Sequence, residues 1–215
     1  MKKIPFVALF VSITLLLSCQ SGTKTEETVE VVDPNEITCE GIGPVKLTHT
    51  YEDLVQAVGA ERLSQGMATL DGADVHVTRV FEGEAEEIIV YWAEKAEPYQ
   101  TITKIAVANA FGPYQTADGI RVGSTLDDLR QVNNFMPITM VNFYNSPDGF
   151  GKILSFNGGD IELNHPCLGG ILDIVKQRGV DVAILDEIKP EPELLSSHRI
   201  FSVLDVEVVE LSISK

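Results

Sequence analysis

Basic residues are scarce in this chain. Its 215 residues include 16 Lys and Arg against 32 Asp and Glu, which gives a formal net charge of -16 at pH 7. No cluster of Lys or Arg occurs after Lys2 and Lys3. Nucleic-acid binding requires basic patches that neutralise phosphates, so this class of function is excluded. The acidic excess favours solubility, or attraction to cations or to a basic partner.

Long apolar runs are missing after residue 18, since no later segment offers the roughly 18 unbroken apolar residues of a membrane-spanning helix. Residues 4–17 are apolar, come after two lysines and end in Leu16-Leu17-Ser18-Cys19. This arrangement resembles the signal peptide and lipobox of a bacterial lipoprotein, in which a small residue fits the peptidase and the cysteine thiolate receives a diacylglycerol. We therefore expect a signal peptide at residues 1–18 and lipidation of Cys19, which would anchor the chain without spanning the bilayer.

Residues 19–36 are polar and acidic, and are predicted to form a flexible tether. Removal of residues 1–18 takes away both N-terminal lysines, so the formal charge of the mature chain becomes -18. Gln20 stands where an inner-membrane retention signal would often have Asp, so the resemblance implies the outer membrane. Residues 21–30 also resemble the acidic segments of surface-exposed lipoproteins of Bacteroidota, and a plain solvated tether is the alternative. The expected location is thus the periplasmic face or the cell surface.

Cysteine is also rare, with three residues in the chain. Once Cys19 is acylated, an oxidising compartment favours a disulfide between Cys39 and Cys167, with two buried free thiols as the alternative. A catalytic role for Cys167 lacks an electropositive setting, and zinc would need three or four nitrogen or sulfur ligands at suitable spacing. No metal or cofactor is predicted. The histidines are scattered along the chain: His49, His76, His165 and His198.

The first half of the folded part predicts one helix and then three antiparallel strands. Thr50 and Asp53 form a helix start, and Gly59 ends the helix. After a polar loop, apolar alternation predicts strands at 75–81, 87–93 and 101–108. The middle strand contains Tyr91 and Trp92, which we expect to pack in the core.

The second half repeats this pattern with little residue identity. Ser124 is predicted to cap a helix, with Asp127 three residues later. Strands are expected at 137–144 and 150–156, and Asn157-Gly158-Gly159 indicates a hairpin that leads into a third strand.

The last quarter is less regular. Residues 168–175 fit either a strand or a helix, with a slight preference for the strand. Residues 189–192 predict an extended loop, and 203–214 a closing strand that contains a bulge or register shift.

Together these patterns predict an α+β domain at 37–215. It would be built from two tandem units of helix plus antiparallel sheet, at about 45–110 and 117–215, completed by the closing C-terminal strand.

The run Gly-Ile-Arg-Val-Gly-Ser-Thr-Leu-Asp-Asp-Leu at 119–129, with Phe156-Asn157-Gly158-Gly159, resembles uncharacterised lipoproteins of Bacteroidota. More remotely, the plan of a turn, a helix and three strands is similar to BamE-type outer-membrane lipoproteins and to β-lactamase inhibitor proteins. The resemblance implies a binding or assembly module that performs no catalysis and contacts an envelope protein. Similar folds serve many functions, so no functional residue is transferred.

Aromatic residues beside predicted turns are candidate contact residues, because recognition side chains are often presented on loops. These are Phe111, Tyr114, Tyr144 and Phe150.

Three functions remain open: a membrane-anchored binding module, which we favour, a structural envelope lipoprotein without a specific ligand, and a hydrolase of envelope polymers. A hydrolase would need paired carboxylates. Neighbouring carboxylates diverge on strands and helices alike, which disfavours both candidate pairs. These pairs are Glu86 with Glu87 and Asp127 with Asp128.

Overall fold

A computed structural model describes residues 33–70, 72–179 and 182–215. The predicted signal peptide, Cys19 and most of the tether lie outside these residues. The described chain contains four α-helices: α1 Tyr51–Val58, α2 Leu126–Val132, α3 Asp160–Asn164 and α4 Val182–Ile188. Its strands are β1 Gly41–Ile42, β2 Val45–Lys46, β3 Leu63–Leu70, β4 Ala73–Val80, β5 Ile88–Trp92, β6 Ile102–Val107, β7 Thr139–Val141, β8 Gly151–Ser155, β9 Leu168–Gln177, β10 Glu193–Leu195 and β11 Leu204–Ser214.

One large antiparallel sheet dominates the structure. Nine strands pair in the order β10-β7-β8-β9-β11-β6-β5-β4-β3, and β1 and β2 form a separate small hairpin. With few and short helices beside this sheet, the α+β class predicted from the sequence is confirmed. The bridge between Cys39 and Cys167 is also present, with Cα atoms 5.4 Å apart, and it ties the segment before β1 to the start of β9.

Helix α1 forms where the sequence predicts it. The Thr50 hydroxyl accepts a hydrogen bond from the Asp53 backbone N–H at 3.2 Å, and the Asp53 carboxylate accepts from the Thr50 N–H at 2.9 Å. This reciprocal cap satisfies two amide groups that the first helical turn leaves unpaired. Gly59 comes directly after the helix at φ +90°, a conformation that suits glycine, and Leu54 is fully buried.

Helix α2 begins one residue later than predicted. Its cap is Thr125, paired with Asp128, and not Ser124 with Asp127. The reason is tertiary. The Gly123 N–H donates to the Val208 carbonyl and the Val208 N–H donates to the Ser124 carbonyl, so this segment lies extended against β11 before the helix starts.

Strand β3 occupies residues for which the sequence predicts a polar loop, and that prediction is wrong. All eight residues of β3 pair with β4 in unbroken register, from Leu63 opposite Val80 to Leu70 opposite Ala73. Only Thr69 in this strand is β-branched, so its pairing reflects tertiary context more than intrinsic propensity.

The turn at Asn157 and Gly158 is present, with both residues at positive φ, but the expected return strand is wrong. Helix α3 stands in its place. The buried side chain of Asn133 accepts a hydrogen bond from the Ile161 N–H at 3.2 Å, so a distant amide caps this helix.

Near the C-terminus, residues 168–177 form strand β9, which agrees with the preferred alternative. Strand β11 lies at the centre of the sheet, between β9 and β6, and pairs with β9 through two register shifts, in agreement with the irregular alternation of its sequence. Helix α4 has no counterpart in the sequence prediction, and β10 comes after the expected loop.

The main core lies on one face of the sheet. The buried side chains of the four helices all belong to it, together with Trp92. They are Leu54, Leu126, Leu129, Ile161 and Ile188. Trp92 stacks on Tyr99 and donates a hydrogen bond from Nε1 to the Thr78 hydroxyl at 2.8 Å, so its predicted core role is confirmed.

Candidate interaction surface

A second apolar cluster lies on the opposite face of the sheet and contains strand residues only. Cross-strand partners share a face, so Val77 opposite Tyr91 and Ile89 opposite Ala106 define this surface, here called the open face. The described helices pack on the other face, and none of them covers the open face. Its three central members, Val77, Tyr91 and Ala106, are buried, and the partly buried Ala68, Leu70, Val75 and Ile89 surround them.

Charged groups bound the apolar part of the open face on the side of β11. The Lys104 ammonium lies 2.6 Å from Glu210 Oε1 and 4.9 Å from the centre of the Tyr91 ring. Burial, with a smaller contribution from the Glu210 charge, raises the pKa of Tyr91 to about 12. The Tyr91 phenol therefore stays neutral at physiological pH, and its ring packs against Lys104 and the apolar cluster.

Phe111 lies at one end of the open face and is 90% exposed. Its backbone N–H donates to the Asn109 side-chain oxygen at 2.9 Å, and the Gly112 N–H donates to the Asn109 carbonyl at 3.0 Å. A Cβ atom on Gly112 would lie 2.8 Å from the Ala85 carbonyl oxygen, so glycine permits this close approach. The turn thus fixes a large apolar side chain in solvent.

A groove of about 330 Å³ lies beside Phe111. Arg79 and Ile89 are opposite each other on neighbouring strands, and both belong to the open face. Arg79 Nη1 lies 2.5 Å from Glu87 Oε1, so the groove combines an ion pair with apolar walls. Its lining residues are Arg79, Glu87, Ile89, Ala108, Asn109, Ala110 and Phe111.

Sequence reasoning selected Phe111 but missed this groove. The three groove residues Arg79, Glu87 and Ile89 come from strands or loops distant from residue 111, and no local pattern links them. The groove walls thus offer an apolar side chain, Ile89, next to the ion pair of Arg79 and Glu87.

Tyr114, the second predicted contact residue, is buried, so the structure removes it from the contact surface. Its hydroxyl donates to the Glu86 carbonyl at 3.3 Å, and its ring occupies the space beside Gly43, where a Cβ atom would lie 2.6 Å from Cε1. Burial, with the Glu86 charge second, raises the pKa of Tyr114 to about 12.

Tyr144 and Phe150, the other two predicted contact residues, are 36% and 37% exposed in the loop between β7 and β8. Asn142 supports this loop. Its side-chain oxygen accepts from the Tyr144 N–H, and its amide donates to the carbonyls of Ile188 and Glu191 at 2.7 Å each. Strands β11 and β9 separate this side of the sheet from β6, which precedes Phe111. The four candidate aromatics therefore do not form one cluster.

A second groove, of about 620 Å³, lies beside α2 and α3 and includes Asp118 and Ser124. His165 Nε2 lies 2.9 Å from Asp118 Oδ2, a pair that sequence reasoning missed because 47 residues separate its members. An imidazole and a carboxylate can move a proton. The Ser124 hydroxyl, however, accepts from the Arg121 N–H at 3.1 Å, and no hydrogen bond in the described chain joins it to His165.

Three of the four carboxylates considered for hydrolysis have structural partners in the described chain. Glu87 pairs with Arg79, and Asp127 Oδ1 lies 3.1 Å from Arg130 Nη1. Asp128 caps α2, and the hydrogen bonds from Thr125 hold its pKa below the usual value. These contacts hold Glu87 and Asp127 in ion pairs and Asp128 in a helix cap.

The four histidines have separate surroundings, and among residues 33–70, 72–179 and 182–215 no group of three potential ligands is placed to hold a metal ion. His76 Nδ1 lies 3.0 Å from the Tyr99 hydroxyl, whereas His198 accepts from the Ile200 N–H as a helix cap. Within the same part of the chain, no helix is long and apolar enough to cross a bilayer.

Comparison with protein-family models and with curated proteins gives no match. One solved structure, described as the uncharacterized protein yfeY from Escherichia coli, is similar to this chain with a TM-score of 0.48 and 15% sequence identity. The match covers 84% of this chain and 99% of that chain.

Proposed function

We propose that this chain is a lipid-anchored protein of the bacterial envelope whose domain is a non-catalytic binding module, with the open face around Phe111 as its contact surface. The observation that carries the proposal is the 90% exposure of an aromatic ring that a hydrogen-bonded turn holds beside a groove. Burial of such a ring would contribute about 1.5–3 kcal/mol of free energy. Exposure in water loses this contribution, and contact with a partner recovers it.

The partner that fits this surface is another envelope protein that offers an apolar side chain next to a basic group. Ile89 supplies an apolar wall to the groove, and the net charge, -18 once residues 1–18 are removed, favours a positively charged partner. The lipobox-like segment ending at Cys19 and the bridged cysteines both suit an oxidising envelope compartment.

The tandem-unit organisation belongs to the same proposal. Four strands flank β11 on each side, and a helix with a Thr-and-Asp cap precedes each half, α1 in one and α2 in the other. This arrangement supports two related halves, of which the first carries the contact surface. The interposed helix α3 and the extra helix α4 distinguish the second half.

Site-specific photocrosslinking in bacterial cells tests the contact surface. A photoreactive phenylalanine analogue at position 111 is expected to give one discrete adduct whose partner is identified by mass spectrometry. Phe135 is the matched control, since it is also a loop aromatic and is 68% exposed. The same adduct pattern at 111 and 135, or no adduct at either position, would contradict the proposed contact surface. The alternative, a structural lipoprotein without a specific ligand, would then be favoured.

Fractionation tests the anchor separately. Cys19→Ala is expected to release the protein from the membrane fraction, whereas Cys39→Ala, which removes a cysteine that carries no lipid, keeps it there. Tight membrane association of the Cys19→Ala protein contradicts lipid anchoring.

A further inference from the structure

The two edges of the nine-stranded sheet differ in how they are protected. One edge is β10, which has three residues, comes directly after Pro192 and contains the exposed Glu193. The other edge is β3, which has eight residues and no described strand on its outer side. Short length, proline and charge are devices by which native proteins keep an edge from pairing with another chain, and β10 uses all three.

Strand β3 uses none of these devices. Its sequence, Leu-Ser-Gln-Gly-Met-Ala-Thr-Leu, contains no charged residue and no proline, in a chain of which 22% is charged. Its register with β4 is unbroken over eight pairs, so no bulge turns the edge away. The backbone N–H and C=O groups on the outer side of β3 are therefore a regular template for one more strand.

Both faces next to this edge can receive side chains of an added strand. Met67 is 52% exposed on the face of the main core, where Gln65 and Thr69 are its exposed neighbours. On the open face, Ala68 and Leu70 are half-buried and belong to the apolar cluster of Val75 and Val77. An added strand that alternates apolar and polar residues would extend this cluster by one row.

Charge near the edge decides which chain fits. Glu97 Oε1 accepts a hydrogen bond from the Gln65 side chain at 3.3 Å, and Asp74 Oδ1 accepts from the Thr69 hydroxyl at 3.4 Å, all in exposed positions. Two carboxylates thus lie beside β3 on the main-core face. A second copy of this chain brings the same carboxylates and a net charge of -16, which disfavours pairing of two β3 strands.

We propose that β3 binds an extended, basic segment of a partner protein as a tenth strand of the sheet. The main-chain hydrogen bonds of β3 supply the pairing, and Asp74 and Glu97 select lysine or arginine in the partner. This inference rests on the proposed function, because it names the partner segment that the binding module takes.

The test uses the full chain with a synthetic peptide in which valine and threonine alternate and lysines stand at both ends. A peptide of the same sequence with alternate backbone nitrogens methylated is the control, since it keeps the side chains but loses the donors. Isothermal titration gives the affinities, and hydrogen exchange gives the site. The expected result is at least tenfold weaker binding of the methylated peptide, and at least tenfold slower exchange of outward amides in β3 and not in β10.

A pair of variants separates the edge from general charge effects. Met67→Lys places a charge on β3 and is expected to weaken peptide binding at least tenfold, whereas Leu195→Lys, at a 47% exposed position on β10, leaves it unchanged. Circular dichroism checks that both variants fold.

Absence of peptide binding, equal binding of the methylated peptide, or equal effects of the two lysine variants would overturn the inference. So would a concentration-dependent dimer of the full chain with β3 amides protected, since the occupant would then be a second copy. Crosslinking at Phe111 that persists after any of these outcomes leaves the proposed function intact.

Discussion

The disulfide between Cys39 and Cys167 permits the most quantitative prediction. Its cysteines are 128 residues apart. In the chain-entropy model, a cross-link that closes a loop of this length raises the free energy of the unfolded chain by about 5 kcal/mol at 25 °C. Replacing both cysteines by alanine is therefore expected to lower the free energy of unfolding by about 5 kcal/mol. The melting temperature should fall by about 10–20 °C.

Local packing limits the damage to the native state. Ile37, Ile42 and Val45 flank the first cysteine and are buried in the main core, so the β1–β2 segment keeps its apolar contacts when the bridge is absent. The folded structure should consequently survive, with the stability difference arising in the unfolded chain.

Urea unfolding at pH 7 measures this effect in the oxidised protein, the reduced protein and the double-alanine variant. The last two should agree, since Cys39 is exposed and accessible to reductant. A difference below about 1 kcal/mol between oxidised and variant proteins would refute the entropic argument. Alkylation of both thiols in the unreduced, denatured protein would refute the bridge itself.

Three further predictions concern single residues. Asp128→Asn should lower the free energy of unfolding by about 0.5–1 kcal/mol at pH 7, because it weakens the cap of α2. The pKa of Asp128 is lowered in the folded state, so its contribution is present above the unfolded pKa and is lost as the pH falls through the folded pKa. Urea titrations in acid should therefore show no difference from wild type. In absorbance titration at 295 nm, Tyr91→Phe should reduce the change near pH 12 without abolishing it, because burial raises the pKa of both Tyr91 and Tyr114 to about 12. Gly151→Ala should cost about 1–3 kcal/mol, because its Cβ would lie 2.6 Å from Phe143 Cζ, whereas Gly66→Ala, with its nearest atom at 3.9 Å, should change unfolding by urea little.

Helix starts are predictable because they depend on residues three apart in the chain. The cap of α1 by Thr50 and Asp53 obeys this rule, and the sequence alone identifies both residues. At α2 the same rule admits two adjacent starts, Ser124 and Thr125. The choice between them depends on hydrogen bonds to Val208, which is remote in sequence and therefore invisible to a local pattern.

Strand β3 and helix α3 escape prediction for opposite reasons. The composition of β3, with glycine, alanine and methionine, resembles a loop, and it becomes a strand by pairing with β4. The turn at Asn157 and Gly158 is recognisable, but a hairpin turn specifies only the reversal of the chain. The element after this turn is a helix because the side chain of Asn133, remote in sequence, caps α3.

The candidate surface is only partly predictable. Phe111 and Tyr114 lie three residues apart beside one turn, and local sequence gives them equal weight. Tyr114 is buried because Gly43 leaves space for its ring and the Glu86 carbonyl accepts a hydrogen bond from its hydroxyl. Phe111 is exposed because Asn109 holds its turn in solvent. Such choices depend on neighbours that only the folded chain brings together.

The affinity of the crosslinked partner, purified and measured by isothermal titration, tests the central claim most directly. Phe111→Ala is expected to weaken binding by about ten- to a hundredfold, which corresponds to the burial of one aromatic side chain. Phe135→Ala, at the matched exposed position, should leave the dissociation constant within about twofold of wild type. Equal affinities of the wild-type and Phe111→Ala proteins would contradict binding at the open face.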